Sequence, residues 1–276
     1  MPSPLISRSL ELPNGYQQFR WMAEGKENSH GVTLNDPDGL LSALSKDRGE
    51  AYLYTSHQIF YEDGLLKQTR SSPNWEGGLL TYSTCKQHLR TTSRQWPGTW
   101  LASLGPRDCS DNCLLMVGRV AHAFPSNYTL SGCVRTSYPS VYKVKQACLN
   151  PRGDLYTPKR PLVGDEVFHH ENFVEPKNHT RSVEFYKKSP GSRSDRADGL
   201  IPKWWRDLEY ISHHGHRPWH FILAPCWVFS KPLMWSTISP GRASVRLPAV
   251  ALGKALACPA SPPASPPVRP GGSRGQ

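Results

Sequence analysis

The chain has 276 residues, 37% of them hydrophobic and 20% charged, enough for one large domain or two small ones with a sizeable core. Its 22 Gly and 26 Pro exclude a mostly helical protein and favour many loops and short strands. The formal net charge is +11, and residues 241–276 carry five Lys or Arg and no acid. That balance admits nucleic acid, nucleotides or an acidic protein surface as partner without choosing among them.

In chain order, residues 1–50 read as a divergent N-terminal extension. Within it NDPDGLLSALSK predicts a short helix over Gly39–Lys46 after an Asp-Pro-Asp turn. AYLYTSHQIFY, from Ala51 to Tyr61, is rich in aromatic and β-branched residues and predicts a strand with breaks. The polar, Gly-rich EDGLLKQTRSSPNWEGG predicts a loop, and GLLTYSTC re-enters as a strand. WLASLG, from Trp100 to Gly105, and LLMVGRVAHAF, from Leu114 to Phe124, predict two further strands. In the second, Gly118 marks a bulge or a close backbone approach.

A long irregular stretch containing Tyr128, Tyr138, Tyr142 and Tyr156 follows, then GDEVF at 164–168 as a short strand. Trp204, Trp205, Leu208 and Ile211 recur at helical spacing. HFILAPCWVFS, from His220 to Ser230, predicts a strand that Pro225 confines to an edge or a bend. From Pro240 onward, eight prolines and no aromatic residue describe a disordered, basic tail over 240–276. The expected organisation is therefore an extension at 1–50, one α+β domain at 51–239 and the tail. No apolar run reaches the roughly 18 residues of a membrane helix. The N-terminus has no long apolar leader, and the seven cysteines are an odd number, so a reducing, cytoplasmic setting is expected. The sequons at Asn127 and Asn178 are then chance matches.

The densest chemistry lies in TYSTCKQHLRTTSRQW, residues 81–96. Basic neighbours could lower the pKa of Cys85. On a strand, however, Cys85 faces away from Lys86 and Arg90, which fits a packed thiol better than a nucleophile. Lys86, Arg90 and Arg94 recur four apart and suit an anion, since Arg grips phosphate with two donors and Lys adds a mobile charge. An ordinary solvated basic face is the alternative. Trp100 and Trp204 add stacking surfaces, and Lys203 and Arg206 flank the Trp204–Trp205 pair. Core packing is the alternative for both rings.

Cys109 and Cys113 have C-x3-C spacing without a second ligand pair, so no structural zinc is expected. His169–His170, His213–His214 and His216 could meet Asp165 or Glu171 for acid–base chemistry. They lack the helical HExxH spacing of a metallohydrolase. No phosphate-binding Gly-rich loop, dinucleotide fingerprint or nucleophile elbow occurs, and no resident cofactor is expected.

The order of these stretches resembles the nucleotide modification associated domain family, in its branch with a PUA/ASCH-like fold. The resemblance spans about residues 78–235. It rests on Cys85, Lys86, Leu89, Arg90, Trp100 and Gly105, then on Phe124 and Tyr128. It continues through Asp154, Tyr156, Lys159, Arg160, Gly164 and Asp165, and closes on HFILAPCWVFSKPLMW. Thr99 stands where the family's Gly-Asp-Trp carries its acid. The resemblance implies a mixed β-barrel with peripheral short helices and long loops. It also implies recognition of a nucleotide, RNA or DNA, with modified bases or a nucleotide-modification system as its context. The ligand-binding residues expected from the resemblance, the basic stripe and the Trp204–Trp205 pair taken together are Lys86, Arg90, Arg94, Trp100, Lys159, Arg160, Asp165 and Trp204. A nucleotide-modifying enzyme and a basic protein-interaction domain are the alternatives.

Overall fold

The computed structural model describes residues 22–55, 59–62, 65–68, 73–83, 96–105, 113–147, 155–174, 185–187, 200–202, 208, 217, 219–234 and 245–257. The main sheet has seven strands: β1 (Val32–Leu34), β2 (Glu50–Thr55), β5 (Leu80–Ser83), β6 (Trp100–Leu104), β7 (Cys113–Phe124), β10 (His220–Met234) and β11 (Val245–Pro248). Their order is β1-β10-β7-β6-β2-β11, and β5 also pairs with β10. Pairing is parallel for β1 with β10 and β2 with β6, and antiparallel elsewhere. Two small hairpins stand apart, β3 (Ile59–Glu62) with β4 (Leu65–Gln68) and β8 (Phe185–Lys187) with β9 (Leu200–Pro202). The helices are α1 (Pro37–Lys46), α2 (Asn127–Ser137), α3 (Pro139–Ala147) and α4 (Ala249–Ala257). The fold is mixed α+β, and its sheet is not closed into a barrel.

Strand alternation sorts the core onto two faces. Ala51 and Leu53 of β2, Trp100, Ala102 and Leu104 of β6, and Trp227 and Phe229 of β10 face α1 and α4. Tyr52, Tyr54, Leu101, Cys226 and Val228 point the opposite way. On α1, Leu40 and Leu44 lie one turn apart and fully buried, each worth roughly 1.5–3 kcal/mol. Asp36 starts that helix by accepting a hydrogen bond from the Gly39 N–H at 2.9 Å, with Pro37 in the first turn.

The second face is concave. Tyr54 on β2 and Tyr82 on β5 belong to strands that do not pair, yet their ring centroids are 5.6 Å apart. Tyr82 stacks on Phe221 at 6.2 Å, Phe221 meets Trp96 at 5.0 Å, and Trp96 meets Tyr52 at 5.6 Å. This chain of buried rings holds the curled sheet across its open side.

The strand β10 is the hub. One edge pairs with β7 along most of its length, while the other is shared end to end by β5 at Leu223 and before and β1 at Cys226 and after. Pro225 therefore sits in a central strand and not on an edge. The ladder to β7 shifts register between Leu223 and Cys226 and again between Val228 and Leu233, so the strand passes Pro225 and Pro232, its two residues without an N–H, at irregularities of the ladder.

Gly118 faces the first irregularity. A Cβ there would lie 3.0 Å from both Cys226 Sγ and Leu223 Cβ, so what approaches closely is the side chains of β10 and not its backbone. Gly118→Ala is expected to cost about 1–3 kcal/mol by overpacking, read as a lower urea midpoint. An unchanged midpoint would mean that the strands can part at no cost.

Other expectations need correction. The stretch after Phe124 is two helices: Ser126 caps α2 by accepting from the Thr129 N–H at 3.2 Å, and α3 packs on a tight turn at Glu76–Gly78. Leu65–Gln68 is a strand and not loop. Gly164–Phe168 is a 3-10 turn and not a strand. Both domain limits move as well. The strand β1 and helix α1 belong to the main sheet and its cover, so the fold begins before residue 50. After residue 240, β11 adds to β2, and α4 buries Ala249 and Leu252 against the α1 face. The prolines of the tail concentrate beyond residue 258, which leaves AVALGKALA free to form a helix. Among the described residues no helix is long and apolar enough to cross a membrane.

Candidate functional site

The end of the sheet where β5 stops and β10 starts gathers the unusual polar groups. Ser83 is the cross-strand partner of His220, and Ser83 Oγ lies 2.6 Å from His220 Nδ1. His220 is buried, and burial pushes its pKa down to about 3, so the imidazole is neutral at ordinary pH. Two residues back on the same face of β5, Thr81 Oγ1 accepts from Lys145 Nζ at 3.0 Å. Lys145 comes from α3, is 1% exposed, and also donates to Asn74 O at 3.0 Å and Asn74 Oδ1 at 2.7 Å. Three donors thus meet three acceptors, the condition under which an ammonium tolerates burial.

The basic stretch at 84–95 leaves the described chain at Ser83 and returns at Trp96. Both flanking residues are tied to the start of β10, Ser83 through His220 and Trp96 through Phe221. Lys86, Arg90 and Arg94 themselves lie outside the described residues, as do Cys85, Trp204, His213, His214 and His216.

Trp100 does not serve as a stacking surface. It is 2% exposed, packed against Trp227 at 6.0 Å on the face covered by α1 and α4. Its place in β6 turns it away from the concave face, because it shares the parity of Ala102 and Leu104. Thr99, where the resemblance expects an acid, is buried in the turn after Trp96, with its N–H donating to Trp96 O at 2.9 Å. The aromatic residue next to the polar cluster that the sequence did not single out is Trp219, half-buried and adjacent to His220. Its signal was its place directly before the strong apolar strand.

Lys159, Arg160 and Asp165 are exposed, on a braced loop that runs from Thr157 to Val174. Lys159 Nζ donates to Glu171 O at 2.8 Å. Arg160 grips Glu166 through two donors at 2.6 and 2.9 Å, and this bond holds the carboxyl down at about 2. Arg160 is therefore committed within its own loop. Phe168, on the same loop, lies under the Arg217 guanidinium, whose carbon is 3.6 Å from the ring centre.

Among the described residues no group of three His, Cys, Asp or Glu side chains is arranged to hold a metal ion. His170 Nδ1 contacts Glu171 at 3.1 Å and His169 is exposed, while His213, His214 and His216 lie outside the described residues. Cys226 is buried, which pushes its thiol pKa up and makes it unreactive. Asn127 of the first sequon is buried, with its Oδ1 accepting from the Tyr156 N–H at 3.1 Å, so its amide is closed to glycosylation once the chain has folded.

No family profile, no curated protein and no solved structure matches the chain.

Proposed function

We propose that this chain is a nucleotide- or nucleic-acid-recognition domain related to the nucleotide modification associated, PUA/ASCH-like group, working in the cytoplasm. The observation that carries the reading is the tethering of the stretch at 84–95. A segment with three regularly spaced cations starts and ends at the same sheet end, beside Trp219 and the Ser83–His220 pair. Cations for phosphate and a half-buried aromatic for a base are the two components of sequence-tolerant single-strand recognition.

In this reading Lys86, Arg90 and Arg94 contact phosphate, and Trp219 takes the stacking role that Trp100 cannot. Full-length protein should bind labelled RNA or DNA at low salt, and affinity should fall as salt rises. Lys86→Ala with Arg90→Ala should weaken binding at least tenfold and flatten the salt slope by about two charges. Binding that the double variant leaves untouched would refute the assigned site. A control for the basic tail should stop after Ala257, because a cut at residue 240 removes β11 and α4 from the fold.

A further inference from the structure

The pair β11 and α4 is attached to the rest of the molecule at one edge. β11 stands last in the strand order and pairs with β2, with its outer edge unpaired among the described residues. α4 follows it directly and packs on α1, where a Cβ on Gly253 would lie 3.2 Å from Leu44 Cβ. Of residues 246–257 only Ala249, Leu252 and Gly253 are buried, and Leu252 is the one large side chain among them. The central strand β10, by comparison, buries Phe221, Ile222, Leu223, Trp227, Val228 and Phe229. The Ala249 N–H donates to Gly49 O at 2.8 Å, and Arg246 pairs with Glu50 where both side chains are exposed, which adds little.

The face they cover favours uncovering. Leu247, Ala51 and Trp100 form one row across β11, β2 and β6. Trp100 Nε1 and, against it, Trp227 Nε1 are buried without an acceptor among the described residues. A buried donor without a partner is a cost that entering water removes. Edge elements with few buried side chains are also where cooperative local opening starts. We propose that β11 and α4 open and close as one strap while the rest of the sheet stays folded. In the open state β2 presents a free edge, and Leu44 on α1 loses part of its cover. Residues 235–244 keep the strap tethered to β10, so closure is an intramolecular step.

The test is native-state hydrogen exchange on the full chain, in urea too dilute to unfold it. The amides of Gly253, Lys254 and Ala255 should exchange at least about a hundredfold faster than the most protected amides of β7 and β10. Their rates should rise together as urea is added, since an opening unit exposes surface and single-residue fraying does not. Leu252→Ala should quicken them by at least about thirtyfold. Gly118→Ala should quicken exchange in β7 and β10 and leave the strap amides at the wild-type rate, because β7 is folded in both states of the strap. Equal quickening of strap and core by Gly118→Ala would show that the strap opens only with the whole fold, and would overturn the proposal. Strap rates that do not respond to urea would reduce the opening to fraying and overturn it as well. So would strap rates that Leu252→Ala leaves unchanged.

Discussion

Lys145→Met is expected to destabilise the fold by about 3–5 kcal/mol, among the largest losses any single substitution gives here. The side chain is 1% exposed, and its ammonium is the donor for Asn74 O, Asn74 Oδ1 and Thr81 Oγ1. Met keeps most of the volume and removes the donor. Three buried acceptors then lose a charged partner, and a hydrogen bond to a charged group is worth about 1.5–3 kcal/mol, although Asn74 O still accepts from the Thr81 N–H and Asn74 Oδ1 from the Glu76 N–H. The three losses are not additive, since Asn74 supplies two of the acceptors and its side chain can turn.

The contact also has a position in the architecture. It ties α3 to β5 and to the turn before it, so its loss should loosen the strand that ends in Ser83. Urea unfolding of the variant gives the number, and hydrogen exchange of the Thr81 and Tyr82 amides gives the place. A loss below about 1 kcal/mol would mean that water replaces the ammonium without penalty.

The second large effect is a loss of stability in mild acid, and His220 is its source. The folded pKa of about 3 lies below the ordinary value of 6.5, because burial disfavours the imidazolium. Unfolded chains therefore take up a proton as pH falls through 6.5, while the folded chain does not until about pH 3. Stability is unaffected by this group above pH 6.5 and falls below it, by up to about 1.4 kcal/mol per pH unit. At pH 5 the loss is about 2 kcal/mol. His30, also lowered by burial, acts in the same direction.

His220→Gln removes the titration and leaves an amide within reach of Ser83. Its urea midpoint should vary less with pH between 7 and 5 than that of the wild type. Parallel profiles for the two proteins would show that His220 takes up its proton at the same pH in the folded and the unfolded chain.

Much of the sheet was legible in the sequence, because long apolar strands announce themselves. The Leu114–Phe124 and His220–Ser230 segments stand out by continuous apolar character, and the structure makes them the two central strands. Gly118 was readable for the same reason, as the one residue without a side chain in such a run. What the sequence hid was long-range pairing. Nothing local in Val32–Leu34 says that it will lie beside Cys226, or in Val245–Pro248 that it will extend β2. The helices α2 and α3 were masked by Tyr, Thr, Ser and Val, which have middling helix propensity, and tertiary burial of Leu130, Val134 and Val141 decides the outcome.

The candidate site was legible only in part. A cationic stripe shows in sequence spacing, whereas the exposure of a tryptophan depends on strand parity. Trp100 was expected as a stacking surface and is buried, as is Trp96 on the opposite face of the sheet. The Ser83–His220 pair could not be found by spacing at all, because its members lie 137 positions apart and meet only through strand register.

The place of β10 late in the chain has a consequence for biosynthesis. This strand joins β1, β5 and β7, and its contact with the N-terminal part includes the Asn35–Ser230 hydrogen bond across 195 positions. A nascent chain that has not yet extended through Met234 carries β7 with one whole edge unpaired, and β1 and β5 with no sheet partner. The chain must therefore have emerged through Met234 before its centre can assemble, with open apolar strand edges in the interval. Early termination before Met234 is thus expected to yield aggregates for chaperones and proteases, and not a smaller working domain.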